Sequence, residues 1–152
     1  MTRTLLLLAT LALAATACSR AAETWPPAPP SIRLGEDACA NCRMIVSDGR
    51  FASHARRRAA PDVELVFDDF GCLLAADKTS PFEPQGVFVR RFDGDAWLRG
   101  DAAFVVRAKD IASPMGSGCA AFASREAAEK EAARHAGAAV SELAGLLSGA
   151  AK

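Results

Sequence analysis

The chain has 152 residues, and eighteen basic side chains balance eighteen acidic ones, so its formal net charge is zero. That balance gives no electrostatic reason to expect a nucleic-acid partner, and the length suffices for one compact domain, or two very small ones, with a modest core. The sequence contains no Gly-rich phosphate loop, nucleophile elbow or spaced pair of catalytic carboxylates, so the case for an enzyme is thin.

Residues 1–17 read as a lipoprotein signal peptide. Met1-Thr2-Arg3 is a short positive start, and Leu5 to Ala17 is an uncharged apolar run too short to span a bilayer. It ends in Ala15-Thr16-Ala17 before Cys18, which resembles a bacterial lipobox with Ala15 standing where Leu is usual. Lipidation, as with palmitate, would make Cys18 the first mature residue and anchor it to a membrane. Ser19 after it favours the outer membrane. Ordinary cleavage near Ala17 would instead leave Cys18 a free thiol. Either route exports the chain to the periplasm, where disulfides form. Cys39, Cys42, Cys72 and Cys119 then allow three pairings, among which sequence does not choose.

Residues 18–36 form a tether in this reading. Trp25-Pro26-Pro27-Ala28-Pro29-Pro30 lacks backbone donors and favours an extended polyproline spacer. The domain proper occupies 37–152. Residues 43–47 and 50–57 are expected as strands joined by a hairpin turn at Asp48-Gly49. A strand over 62–67 follows, and then a short helix over 70–76 with Asp68-Asp69 at its start. Further strands are expected over 86–92, with Val87 and Val89 on one face, over 102–107 and over 119–123. Ser124 is a predicted N-cap, Glu126 lies in the first turn of the helix behind it, and Gly137 is the predicted stop. Val140 can add an edge strand, and 141–147 a terminal helical turn or two. The element order is roughly doubled, so the expected fold is α+β, with two small lobes of antiparallel strands, each carrying a helix. Arg56-Arg57-Arg58 and Arg90-Arg91 read as solvated strand ends. His54 reads as an exposed histidine, on the face opposite Phe51, with an auxiliary role at a metal as the sharper option.

The chemistry-bearing motif is Cys39-Ala40-Asn41-Cys42-Arg43-Met44. In an extended segment Cys42 and Met44 point to one face, about 7 Å apart at the backbone. A thiolate beside a thioether is a soft ligand pair that selects Cu(I), and Cys39 can join it. Apart from Met1, the only other methionine is Met115, in the Pro- and Gly-rich turn Ser113-Pro114-Met115-Gly116, which presents its sulfur outward. Both methionines could instead fill core gaps. A zinc site lacks a second Cys-x-x-Cys or a histidine pair. A thioredoxin-like pair lacks a helix after Cys42.

Together with the lipobox-like start, three motifs in order resemble the NosL family of nitrous-oxide-reductase accessory lipoproteins. These are Cys39-Ala-Asn-Cys42-Arg-Met44, Phe67-Asp68-Asp69-Phe70-Gly71-Cys72 and Ser113-Pro114-Met115-Gly116. The resemblance covers about 37–147. It implies two small α+β lobes and a periplasmic, membrane-tethered Cu(I) chaperone. It also implies copper delivery towards the copper–sulfide centre of nitrous oxide reductase, through that enzyme's assembly machinery. By resemblance, Cys42 and Met44 map to the copper motif and Met115 to its Pro-Met-Gly turn. Arg43 stands where the family usually has Gly, and Cys119 maps to no role. It is left to pair with Cys72, bind copper or be buried and inert. Two other functions remain open at this point: a thiol–disulfide oxidoreductase using Cys39 and Cys42, and a metal-free lipoprotein held by disulfides.

Overall fold

The computed structural model describes Trp25 and residues 27–148; the expected signal peptide and Cys18 lie outside the described residues. Strands β1 (Ser53–Arg57), β2 (Ala60–Phe67), β3 (Val87–Arg90) and β4 (Trp97–Arg99) form an antiparallel sheet in the order β2-β1-β3-β4. Strands β5 (Phe104–Arg107), β6 (Cys119–Phe122) and β7 (Ala139–Glu142) form a second, in the order β6-β5-β7. A parallel bridge between Arg91 and Ala121 links the two sheets. Helix α1 (Phe70–Thr79) accompanies the first sheet and α2 (Arg125–Ala132) the second, and α3 (Leu143–Leu146) closes the described chain. The expected α+β architecture of two small antiparallel sheets with helices is the one found.

Side-chain alternation explains the packing. Ser53 faces Phe67 and Val89, and Ala55 faces Leu65 and Val87. Small residues on central β1 therefore admit the large ones from its neighbours. These join Phe70, Leu73, Phe82, Val105, Ala121 and Leu143 in one core that both sheets share. A second cluster lies under α2 around Val106, Ala120, Phe122 and Ala128, and tilted ring contacts from Phe51 to Phe92 and from Phe92 to Phe122 extend it. Ser124 caps α2 as expected, its Oγ accepting the Ala127 N–H at 3.1 Å. That helix closes at Ala132, and turns carry the chain on to Gly137, whose φ of 72° is left-handed.

Several expectations need correction. Residues 43–47 are not a strand; they make a single bridge, Ala38 to Ile45. Asp48-Gly49 is no hairpin turn either, because Asp48 caps a 3-10 turn over Gly49–Phe51 by accepting the Arg50 N–H. β4 escapes the sequence pattern because it has only three residues. His54 is wholly buried, since β1 is central and sets it between Val66 and Phe88. Burial lowers its pKa, against the pull of Glu64 at 3.6 Å. Arg56 is buried too and pairs with Glu64, while Arg57 lies 4.2 Å over the Phe82 ring. Of that basic run, only Arg58 fits the solvated reading.

Residues of the expected tether also touch the sheet. Pro27 and Pro30 are buried. The Trp25 indole lies under Arg58 and beside Gly86, where a Cβ would meet it at 2.6 Å.

Candidate metal centre

The Cys39–Met44 loop hangs on edge strand β2. Its Ala40 N–H donates to the Val66 carbonyl at 2.7 Å. Two bonds close the loop: Cys39 N–H to the Met44 carbonyl at 2.8 Å, and Arg43 N–H to the Cys39 carbonyl at 3.0 Å. The closure puts Arg43 at φ 67°, the one left-handed residue other than glycine among those described. A left-handed residue breaks the period-two alternation of an extended chain. Cys42 and Met44 therefore do not share a face, contrary to expectation. Cys42 turns inward, half-buried against the shared core, and Met44 turns outward with 58% of its surface exposed.

The partner that Cys42 meets inside was not foreseen. Where β2 ends, Asp68 and Asp69 turn the chain into α1. Asp69 is its N-cap, accepting the Gly71 N–H at 2.6 Å, which places Cys72 in the first turn. The sulfurs of Cys39, Cys42 and Cys72 all lie within 4.8 Å of one another. With a metal–thiolate bond of about 2.3 Å, sulfurs around a three-coordinate ion stand roughly 4 Å apart. The trio fits such an ion after small side-chain rotations. No histidine or carboxylate joins the cluster among the described residues, so a fourth ligand for tetrahedral zinc is missing.

Electrostatics divides the trio. Burial raises the Cys39 thiol, but the backbone N–H groups of Cys42, Asp68 and Asn41, with the Cys42 thiol, more than offset it and leave its pKa lowered. Burial pushes Cys72 up to about 12, and the neighbouring Cys42 and Cys39 add to the rise. The surroundings thus push the Cys39 and Cys72 thiols in opposite directions. All four described cysteines are free. Cys119 is buried apart from the trio, where its Sγ donates to the Ser117 carbonyl at 3.6 Å.

Met115 occupies the expected turn, closed by Gly116 N–H to the Ser113 carbonyl at 3.0 Å, and is 49% exposed. Its own N–H donates to Asp69 Oδ2 at 3.0 Å. Met44 and Met115 line one open groove of about 390 Å³, with Arg43, Ile45, Asp68 and Pro114. The four sulfur residues singled out in the sequence thus fall into two groups. Cys39 and Cys42 join Cys72 inside, and Met44 and Met115 line the outer groove.

The fold is similar to that of NosL. The structure of the copper chaperone NosL from Shewanella denitrificans matches 77% of this chain and 94% of its own, with a TM-score of 0.64 at 14% sequence identity. No protein-family model and no curated protein matches the chain. The NosL likeness bears on the fold, and the roles of individual residues rest on this chain's own geometry. The one sequence signal for Cys72 was its place three residues after Asp69. A capping aspartate fixes the first helical turn, and whatever stands third in that turn shares the cap's surroundings.

Proposed function

We propose that the protein is a Cu(I) carrier that holds its cargo on the Cys39, Cys42 and Cys72 sulfurs. The observation that carries this reading is the convergence of three thiols within 4.8 Å with no harder ligand among them. Thiolates select soft monovalent copper, and three suffice for it, whereas structural zinc takes four ligands. The likeness of the fold to a copper chaperone supports the same reading. Each bound sulfur must lose its proton, so loading releases protons and weakens in acid. Nothing in the site requires catalysis: the trio binds, and the half-buried Cys42 gives it a way out to solvent.

The rest of the proposal comes from the sequence. A lipid on Cys18 would hold the carrier at the periplasmic side of a membrane, with the outer membrane favoured. Its copper would serve the copper–sulfide centre of nitrous oxide reductase, passed through that enzyme's assembly machinery.

An anaerobic Cu(I) titration of the reduced, detergent-solubilised full chain against a chromophoric chelator, with Zn(II) in parallel, tests the reading. Tight Cu(I) binding with little affinity for zinc is the expected result. Failure to compete for Cu(I), with the cysteines recovered as disulfides from freshly exported protein, would retire it in favour of a redox or structural role.

A further inference from the structure

We propose that Trp25 and residues 27–34 form a detachable strap over the outer face of the first sheet, released when His54 beneath it takes up a proton from solvent.

The first ground is where the segment runs. Alternation through β1 puts Ala52, His54 and Arg56 on the face opposite the shared core, beside Glu64 and Val66 of β2 and Phe88 and Arg90 of β3. At one end of that face the Trp25 indole lies under Arg58, and a Cβ on Gly86 would meet both the indole and the Arg56 carbonyl. At the other end Pro30, Ile32 and Leu34 face Ala52, Arg90 and Trp97 across a groove of about 230 Å³. His54 lies between these ends and is wholly buried. Helix α1 gives Phe70 and Leu73 to the shared core, so it covers the opposite face. Pro27 and Pro30 are the buried residues of 27–34, and they stand one polyproline turn apart.

The second ground is how the strap is seated. Among the described backbone hydrogen bonds, none joins residues 27–34 to the sheet, and the groove leaves part of the contact unfilled. Segments held without a ladder are the ones that open locally while the fold persists.

The third ground is His54 itself. Neither ring nitrogen has a hydrogen-bond partner among the described residues, since Glu64 Oε2 at 3.6 Å is out of reach. A neutral imidazole carries one N–H, and closing the strap leaves it unsatisfied. The charged groups on this face are Arg56, Glu64, Arg90 and Arg99. Glu64 pairs with Arg56, Arg90 with Asp95 and Arg99 with Asp101, and residues 27–32 add no charge. Burial outweighs the pull of Glu64 and disfavours the imidazolium. The proton therefore favours the open form, where water solvates it. Closure is complete above the ordinary histidine value of about 6.5, and each pH unit below it raises the open-to-closed ratio by up to tenfold.

At about 3.1 Å per extended residue, release adds roughly 30 Å to the reach of a domain anchored at Cys18. That consequence rests on the lipid anchor proposed above; the release itself does not.

The chain has two tryptophans and two histidines, which makes the test specific. In the detergent-solubilised full chain, Trp97→Phe leaves Trp25 as the fluorophore, and its emission and acrylamide quenching are followed from pH 8 to 5 beside far-UV circular dichroism. The expected result is a red shift and stronger quenching below about pH 6.5 at unchanged dichroism. His54→Leu should abolish this transition and His135→Gln should keep it. Emission that stays fixed, Trp25 already exposed at pH 8, or exposure only as dichroism is lost would each overturn the strap. A transition that survives His54→Leu, or vanishes with His135→Gln, would overturn His54 as its trigger. Should His54→Leu not fold, the His135→Gln protein retains a single histidine, whose ring-proton resonance must titrate together with Trp25; divergent midpoints would overturn the coupling. Copper plays no part in the readout, so its outcome is independent of the Cu(I) titration.

Discussion

Asp69 and Met115 stand 46 positions apart in sequence, yet the Met115 N–H donates to Asp69 Oδ2 at 3.0 Å. The carboxylate is wholly buried, and its other oxygen caps α1. A residue whose evident role is to start a helix also ties the second lobe's methionine turn to the first lobe's cysteine turn. Ser113 and Ser117, from the same turn, add their hydroxyls to it.

That cradle makes stability pH-dependent in a defined direction. Burial raises the Asp69 carboxyl, but the Ser113 and Ser117 hydroxyls and the Gly71 and Met115 N–H groups outweigh it and hold the pKa below the ordinary value. A group lowered on folding contributes stability above its unfolded pKa, about 4, and that contribution is lost as pH falls through the folded value. Asp69→Asn keeps the size and removes the titration. Urea unfolding at pH 6 should show the variant about 2 kcal/mol less stable. At pH 3 the gap between the two proteins should narrow, and a gap that widened in acid would contradict the assignment.

Arg43→Gly should stabilise the fold. A side chain at φ 67° costs roughly 1–2 kcal/mol that glycine does not incur, less what glycine loses in unfolded-chain entropy. A gain of about 0.5–1 kcal/mol is expected, read as a higher denaturation midpoint at unchanged slope. The guanidinium makes no hydrogen bond or ion pair among the described contacts that the change would sacrifice.

Much of this was legible in the sequence, and the misses have physical causes. Alternation located β2, β3, β5 and β6, and Ser124 and Asp69 marked their helix starts, because caps and period-two burial are local properties. The Cys39–Met44 segment misled because its conformation is set by loop closure onto β2. The left-handed Arg43 reversed which side Met44 faces. His54 misled for a related reason: alternation gives a face, but not whether other chain covers that face. Cys72 was visible as a residue and invisible as a neighbour, since only the packing of α1 behind the loop brings its sulfur to Cys39 and Cys42.

Gly118→Ala should damage the fold more than its size suggests. Gly118 sits at φ 66°, and an added Cβ would meet the Ala108 carbonyl oxygen at 2.1 Å. Ala108 N–H donates to the Gly118 carbonyl at 2.9 Å, so the clash pries at the contact that begins the β5–β6 pairing. A loss of about 2–3 kcal/mol is expected by denaturant unfolding. Gly116→Ala, with a similar φ of 70° but open space around the new methyl, should cost only about 1 kcal/mol.

Cys72 and Cys119 offer the sharpest contrast. Both are buried free thiols raised in pKa by burial, so serine at either position carries a comparable folding cost. Only Cys72 has its sulfur with those of Cys39 and Cys42. Cys72→Ser should therefore weaken Cu(I) binding by at least roughly tenfold, the lower end of what even an outer-shell partner of a metal is worth. Cys119→Ser should leave binding unchanged while lowering thermal stability to a similar extent. Competition titrations beside melting curves on the two variants separate metal binding from packing. Equal losses of affinity would mean that the trio owes its copper to the fold at large, and an unaffected Cys72→Ser protein would remove Cys72 from the ligand set.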